Sequence, residues 1–190
     1  MGSIIVNANI TLDGVCQDPS GDEGSPQGGW FSRMTEADRT AWAEIETAEA
    51  LATDALLLGR HSDEWFASRW LSRTGVWADR LNALPKYVVS STLEAPRWSN
   101  ATVLQGDCAT AVRDLTQRVD GQIAVLASRT LVQTLLEHDL VDELRLMLHP
   151  FLLGSGDRLF GEASDSRPLR LMGTEAVGSQ IVRVRYEVVH

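Results

Sequence analysis

Cysteine is scarce in this sequence, which has two, Cys16 and Cys108, among 190 residues. Their spacing matches no metal site, and two thiols in a chain of this length are typical of reduced cytosolic proteins. Neither cysteine has the context of an activated nucleophile. The acidic residues in HDLVDE have no histidine partner at a zinc-ligand spacing. We therefore expect reduced thiols and no metal site.

Long hydrophobic runs and an excess of basic residues are also missing. The N-terminal stretch MGSIIVNANITLDG is too short and too mixed for a signal peptide, because Asn7 and Asn9 interrupt it, and no apolar stretch approaches a membrane span. With 17 basic and 26 acidic residues, the formal net charge is −9, which argues against a sequence-independent nucleic-acid binder. A phosphorylated small ligand stays compatible with this charge, because a local cluster can override it. These absences predict a cytoplasmic protein with neither nucleic-acid nor membrane partners.

The sequence does contain a regular alternation of apolar strand segments and helical segments. Thr35 and Asp107 are predicted to begin two of the helices, and the chain ends in two strands with period-two alternation in IVRVRYEV. A length of 190 residues suits one domain with a sizeable core. We therefore predict a single α/β domain over residues 1–190, with a mostly parallel mixed sheet, flanking helices and an antiparallel C-terminal hairpin.

One long segment, residues 13–33, is predicted to be irregular. It is rich in Gly, Asp, Ser and Pro and connects the first strand to the first helix. A loop of this length inside a compact domain is typically a lid or a binding loop, and a surface segment without function is the alternative.

Three predicted strands end in hydroxyl-bearing and arginine residues. Each motif alone is explained by a turn and a helix cap. Ligands of open parallel sheets bind outside the carboxyl ends of the strands, and helix starts attract phosphates, so three such ends together favour a nucleotide site. The G-x-G-x-x-G fingerprint is absent. The residues at these ends are Gly59, Arg60, His61 and Ser62, then Ser90, Ser91 and Thr92, and finally Ala127, Ser128, Arg129, Thr130 and Leu131.

Four stretches of the sequence resemble the dihydrofolate-reductase-like family that includes the C-terminal reductase domain of riboflavin biosynthesis. They follow the family's order over almost the whole chain, and the Gly-Arg-His-Ser turn also resembles the Gly-Arg-His-Thr turn that holds NADPH phosphate in dihydrofolate reductase. The stretches are NANITLDG, ALLLGRHSDEWF, ALPKYVVSSTL with Trp98 and Asn100 after it, and TLVQTLLEHDLVDELRLMLHPFLLGSGDRLF.

The resemblance implies a dihydrofolate-reductase-like sheet that binds NADPH at the three strand ends listed above. The implied activity is hydride transfer to a small heterocycle, either a pterin-like ring or a 5-amino-6-ribosylaminouracil-type pyrimidine. The resemblance also implies a homodimer, for which the terminal strand IVRVRYEVV offers an edge. Because no H-x-E or P-C-x-x-C zinc signature appears, the deaminase domain that often precedes this module is not expected.

Two of the strand ends depart from the family pattern in ways that bear on the cofactor. Ala127, Ser128 and Arg129 stand where relatives commonly have glycines, and losing glycine removes close backbone approach and easy access to positive φ. Arg129 either replaces the lost contacts with a charged fork or blocks the phosphate pocket. Ser91 stands where relatives often have arginine, which weakens any grip on a 2′-phosphate. The alternative function is therefore a catalytically inactive nucleotide- or pterin-binding module of the same fold.

Candidates for the substrate side lie around the end of the first strand. Asp13 is the predicted catalytic acid because it follows this strand in a Leu-Asp-Gly turn, although such turns are common without any catalytic role. Glu36 and Asp38, at the start of the first helix, are competitors that favourable placement on the helix dipole explains more simply. Aromatic side chains suit a flat ring. The residues predicted to contact the substrate are Asn9, Trp30, Phe31 and His149.

Overall fold

The strands and helices follow the predicted order in the computed structural model, which describes residues 1–161 and 166–190. The strands are β1 (Ser3–Thr11), β2 (Ala55–Gly59), β3 (Lys86–Val89), β4 (Ala101–Leu104), β5 (Gln122–Leu126), β6 (Glu143–His149), β7 (Leu169–Val177) and β8 (Ile181–Val188). The helices are α1 (Glu36–Ala52), α2 (Arg60–Trp70), α3 (Val76–Ala83), α4 (Cys108–Arg118) and α5 (Arg129–Glu137). None of the described helices combines the length and the apolar character needed to cross a membrane.

All eight strands belong to one sheet with the order β4-β3-β2-β5-β1-β6-β8-β7. The six strands from β4 to β6 are parallel, and β8 runs antiparallel to both β6 and β7. The mostly parallel sheet with an antiparallel C-terminal hairpin is therefore confirmed. Since the first six strands are parallel, their carboxyl ends share one edge of the sheet, where ligands of such folds bind.

The core lies on both faces of the sheet, as strand β2 illustrates. Leu57 packs into the larger apolar cluster with residues of α4 and α5, whereas Leu56 and Leu58 pack into a second cluster with residues of α2 and α3. Successive side chains of a strand point to opposite faces, so a run of buried leucines requires helices on both sides.

The irregular segment predicted at residues 13–33 is confirmed, and its only regular element is a 3₁₀ turn at Trp30–Arg33. Asp18 holds it together, because its carboxylate accepts hydrogen bonds from the N–H groups of Glu23 (3.1 Å) and Ser25 (3.0 Å). An ion pair of 2.6 Å between Asp22 and Arg69 ties the segment to α2.

Candidate functional site

The starts of α2 and α5 are joined by the side chain of Ser128. Its hydroxyl oxygen accepts a hydrogen bond from the N–H of Gly59 (2.9 Å) and the hydroxyl donates to the Ser62 oxygen (2.8 Å). The N–H of Ser128 also donates to the Ser62 oxygen, over 3.1 Å. Because β2 and β5 are neighbours in the sheet, the two helices begin side by side. We call residues 59–62 together with 127–131 the paired helix start.

Neither helix of the paired helix start has a side-chain cap. The Ser128 hydroxyl, which stands at the cap position of α5, is used by Gly59 and Ser62 instead, and Gly59 offers no side chain to α2. The first-turn N–H groups of both helices are therefore left without an intrahelical or capping acceptor. Free N–H groups and the positive ends of two helix dipoles at one place form a site with the electrostatics that an anion such as a phosphate requires.

The backbone that leads into α5 is left-handed at two successive non-glycine residues. Ala127 has φ +49° and Ser128 has φ +56°. Such a conformation costs about 1–2 kcal/mol for a residue with a Cβ atom. Both residues therefore adopt a backbone conformation that glycine would reach without this strain.

The third predicted strand end lies at the same edge of the sheet. β3 is the neighbour of β2, so Ser90, Ser91 and Thr92 follow the strand next to the paired helix start. The Ser90 oxygen accepts hydrogen bonds from the N–H groups of Thr92 (3.2 Å) and Leu93 (3.0 Å) and so stabilises the turn itself. Ser91 and Thr92 are exposed and available to a ligand.

The basic residues of the paired helix start differ in how they are engaged. Arg60 and His61 are exposed, and the one ion-pair contact of Arg60 with the described residues is a long one, of 3.8 Å, with Glu64. Arg129 instead makes an ion pair of 2.8 Å with Asp157, in the segment between β6 and β7.

The side chain of Asp13 is occupied by three hydrogen bonds. Its carboxylate accepts from the Thr11 hydroxyl (2.6 Å) and from the N–H groups of Leu153 (3.2 Å) and Gly154 (2.8 Å). These bonds, the one from Thr11 first, hold the pKa of the carboxyl below its usual value. Asp13 is therefore ionised at neutral pH and joins the loop after β1 to the loop after β6. These contacts favour a structural role over proton donation.

The two competing acids at the start of α1 have separate positions. Glu36 is exposed, whereas Asp38 is buried and accepts hydrogen bonds from Thr35 (2.7 Å) and from the N–H of Ser179 (2.6 Å) in the turn between β7 and β8. These bonds hold the pKa of Asp38 below its usual value, and they make it an anchor for the C-terminal hairpin.

The four residues predicted to contact the substrate are brought together by the fold. The centroid of the His149 ring lies 4.9 Å from the centroid of the Trp30 ring and 5.3 Å from that of the Phe31 ring. His149 Nε2 is 3.0 Å from the Asn9 side-chain oxygen. Trp30 and His149 are completely buried, however, whereas Phe31 and Asn9 are partly exposed. Trp30 and His149 therefore form the buried part of this cluster, and Phe31 and Asn9 form the part that a ligand can contact.

The protonation state of His149 follows from its neighbours. The Asn9 oxygen already accepts a hydrogen bond from Trp42 Nε1 (2.8 Å), so it acts as an acceptor toward His149 as well, and Nε2 carries the proton. Nδ1 is buried and has no partner among the described residues. Burial lowers the pKa of His149 to about 4, and the ring is neutral at physiological pH.

Glu46 is a member of this cluster that the sequence analysis missed. Its carboxyl accepts a hydrogen bond from the Asn9 amide (3.3 Å), and burial raises its pKa. It faces a narrow crevice that is also lined by Asn7, Trp77 and Leu126. Leu126 directly precedes Ala127, so the crevice adjoins the paired helix start. A glutamate within a helix ordinarily predicts a solvated face, and only the docking of α1 on the sheet reveals its burial.

This fold and this edge of the sheet define a dihydrofolate-reductase-like α/β protein. The model of the RibD C-terminal domain family matches residues 2–183, and the chain belongs to that family. It is 29% identical over 101 residues to the uncharacterized protein YyaP of Bacillus subtilis. That match covers 53% of this chain and spans about half (53%) of the length of the relative.

Solved structures share the fold over nearly the whole chain. A putative riboflavin biosynthesis protein from Shewanella sp. PV-4 superposes with a TM-score of 0.78 at 21% identity, covering 99% of both chains. Dihydrofolate reductase from Enterococcus faecalis, in complex with NADP(H) and RAB-propyl, superposes with a TM-score of 0.59 at 12% identity, covering 99% of this chain and 97% of that one. The expected dihydrofolate-reductase-like fold is thereby confirmed.

Proposed function

We propose that the protein is an NADPH-dependent reductase that delivers hydride to a small flat heterocycle of the pterin or pyrimidine type. The observation that carries the proposal is the paired helix start, where Ser128 holds two uncapped helix N-termini side by side. Membership of the RibD C-terminal domain family and the NADP(H) complex of the enterococcal dihydrofolate reductase support a nicotinamide nucleotide as the ligand.

The paired helix start fits the diphosphate of a dinucleotide. The first-turn N–H groups of α5, at Arg129, Thr130 and Leu131, are arranged to donate to phosphate oxygens, and the start of α2 adds a second positive helix end. When bound, a reduced nicotinamide supplies the hydride, while the protein supplies orientation and electrostatics.

The preference for NADPH over NADH is assigned to the start of α2. Arg60 and His61 are exposed in its first turn, and the contact of Arg60 with Glu64 is a weak surface pair. Both side chains are therefore free to bind a 2′-phosphate, and the hydroxyls of Ser91 and Thr92, after the neighbouring strand, add hydrogen-bond donors.

Glu46 is the group best suited to supply the proton that accompanies hydride transfer. Asp13 is ionised, and His149 is neutral and buried, so neither holds a transferable proton in an accessible place. The raised pKa of Glu46 keeps its carboxyl protonated to higher pH, and a general acid works best with a pKa near the working pH. The crevice that this carboxyl faces is also lined by Trp77, an aromatic side chain that suits a flat ring.

Calorimetric titration with NADPH and, separately, with NADH tests the proposal. We expect micromolar binding of NADPH and much weaker binding of NADH. The double variant Arg60→Ala/His61→Ala should lose this preference, whereas Arg118→Ala, a surface arginine on α4, should keep it. Absence of binding to either nucleotide would contradict the proposal.

A nucleotide- or pterin-binding module without turnover is the second candidate, and the departures from the family pattern at Ala127, Arg129 and Ser91 favour it. Consumption of NADPH in the presence of dihydrofolate, a dihydropterin or an aminouracil separates the two candidates. Turnover of any of these rings excludes the second candidate, and tight binding without turnover excludes the first.

A homodimer through the C-terminal hairpin is part of the proposal. The terminal strand expected at the edge, β8, lies between β6 and β7, because β7 folds back outside it. The edge strand is instead β7, with nine residues, and an unpaired edge is a template for pairing with another chain. Leu169 and Leu171 on β7 and Val182 on β8 expose 44%, 55% and 43% of their surfaces. An apolar edge of this kind fits a second copy of the same strand, related by a two-fold axis.

A further inference from the structure

Arg129 connects the paired helix start to the segment between β6 and β7. Arg129 is the first residue of α5, and its guanidinium lies 2.8 Å from the Asp157 carboxylate. The backbone of Asp157 is tied in turn to the loop after β1, because its carbonyl accepts from the N–H of Cys16 (2.9 Å) and its N–H donates to the side chain of Gln17 (3.1 Å). A movement of Arg129 would therefore alter the support of both loops.

The ion pair is a weak contact in a place where a stronger partner is expected. The Arg129 side chain is 36% exposed and the Asp157 side chain 50% exposed, and exposed pairs of this kind add little to stability. Guanidinium binds phosphate through two parallel hydrogen bonds, and a diphosphate carries more negative charge than one carboxylate. A diphosphate at the start of α5 would therefore compete successfully with Asp157 for Arg129.

We propose that Arg129 and Asp157 form a ligand-operated latch. In the free protein Asp157 holds Arg129, and when a nucleotide diphosphate binds at the paired helix start, Arg129 leaves Asp157 and binds the phosphate. The segment at residues 151–161 then loses its ion pair with α5 and keeps the hydrogen bonds that Gln133 of α5 donates to the carbonyls of Arg158 (3.4 Å) and Leu159 (3.2 Å). The latch rests on the proposed nucleotide site, and it gives Arg129 a different partner in each state of the protein.

Variants of the two residues have opposite expected effects on nucleotide affinity. Asp157→Asn keeps the shape of the side chain but removes the competing charge, so the affinity for NADPH and for ADP should rise by about two- to fivefold. Arg129→Gln should weaken both affinities and should cancel the gain when combined with Asp157→Asn. ADP carries the diphosphate without nicotinamide. An equal change in affinity for ADP and for NADPH therefore shows that the variants act on binding of the diphosphate.

The chain offers a matched control at the other end of α5. Asp139, just after this helix, forms an exposed ion pair of 2.5 Å with Arg167. Asp139→Asn removes the same charge from the same kind of pair, so its affinity should equal that of the unaltered protein. Labelling of Cys16 by a thiol reagent, in a Cys108→Ser background, gives a readout independent of affinity. Its rate should rise on adding ADP, and this rise should be absent in Arg129→Gln.

The calorimetric outcomes separate the latch from the proposed function. Tighter binding by Asp157→Asn than by Asp139→Asn, with weaker binding by Arg129→Gln, supports the latch. If the unaltered protein binds NADPH and the two variants Asp157→Asn and Asp139→Asn bind it with equal affinity, the latch is overturned and the nucleotide site stands. Tighter binding of NADPH by Arg129→Gln would show that Arg129 blocks the phosphate site, which also overturns the latch. If no variant binds NADPH or ADP, the latch and the proposed function fail together.

Discussion

The hydroxyls of Ser62 and Ser128 lie 2.8 Å apart, although 66 residues separate them along the chain. One residue comes from the first turn of α2 and the other from the turn before α5. Their contact sets the spacing of two helix N-termini across the boundary between β2 and β5. The candidate nucleotide site therefore depends on a tertiary hydrogen bond as well as on local turns.

Removing the Ser128 hydroxyl should weaken both the fold and the site. Ser128→Ala leaves the N–H of Gly59 without its acceptor, which should lower the free energy of unfolding by about 1–3 kcal/mol. NADPH affinity should fall as well, because the two helix starts are no longer held together. Ser68→Ala is the control, because the hydroxyl that it removes is exposed and bonds to the Trp65 carbonyl and to Arg69. It should change the free energy of unfolding by less than about 0.5 kcal/mol. Urea denaturation measures both variants, and equal stabilities would contradict this role of Ser128.

Glycine at position 127 should stabilise the protein. Ala127→Gly relieves a left-handed backbone at φ +49°, and we expect the free energy of unfolding to rise by about 0.5–1 kcal/mol, since the relief exceeds the entropy that glycine adds to the unfolded chain. Ala48→Gly, in the exposed interior of α1, is the control and should lower it by about 1 kcal/mol. The opposite sign for Ala127→Gly would show that the turn has another conformation.

The stability of the protein should fall in mild acid because of His149. Burial lowers its pKa to about 4, while the unfolded chain binds the proton near pH 6.5. The contribution of His149 is therefore complete above pH 6.5 and is lost as the pH falls toward 4, by up to about 3 kcal/mol. Denaturation midpoints measured across this range should depend less on pH in His149→Gln. The exposed His61→Gln should keep the original slope, and an unchanged slope in His149→Gln would refute this assignment.

Replacing Glu46 should impair turnover with little effect on cofactor binding. Glu46→Gln removes the proton of the proposed general acid, so kcat should fall by about a hundredfold while the NADPH dissociation constant stays the same. The groups that face this carboxyl are Asn9 on β1, Trp42 on α1 and Arg183 on β8, and all three oppose the effect of burial on its pKa.

The pH profile of kcat separates catalysis by Glu46 from a structural role. The limb assigned to Glu46 should disappear in Glu46→Gln. Glu44→Gln, on the exposed face of α1, should retain both the rate and the profile. A fall in kcat with an unchanged profile would make Glu46 a positioning residue.

A charge on the exposed edge strand should separate the proposed dimer. Leu171→Arg places a cation on an apolar edge, and light scattering should then report a monomer where the unaltered protein is a dimer. Val76→Arg, which charges an exposed apolar residue on α3, should leave the dimer intact. A monomeric unaltered protein would remove this part of the proposal.

Most of the fold could be predicted because its determinants are local. The run Leu56–Leu58 is apolar on both faces, which marks a central parallel strand. Asp107 caps α4 as predicted, with its carboxylate accepting from the N–H of Thr110 at 2.9 Å. The family resemblance then implied the dihydrofolate-reductase-like sheet, and the solved structures with this fold confirm it.

The candidate site was only partly predictable because its contacts are long-range. Ser62 and Ser128 were expected at one edge of the sheet, but no local pattern indicates that they bond to each other. The loss of glycine at position 127 was expected to remove easy access to positive φ, whereas Ala127 has φ +49°. Glu46 was missed because its burial depends on where α1 docks. Asp13 was expected to face a substrate, and its partners Leu153 and Gly154 lie 140 residues away or more.

Because Ser62 and Ser128 are far apart along the chain, the stability of the folded protein depends on the concentration of its ligand. Neither half of the sequence contains both helix starts, so a fragment cannot recreate the junction, and it disappears as soon as β2 parts from β5. A molecule that bridges the two helices binds only while β2 and β5 are paired, so it stabilises the whole domain by an amount that grows with its free concentration. Protease resistance would then follow nucleotide concentration, and a starved cell would lose this protein sooner than a well-supplied one.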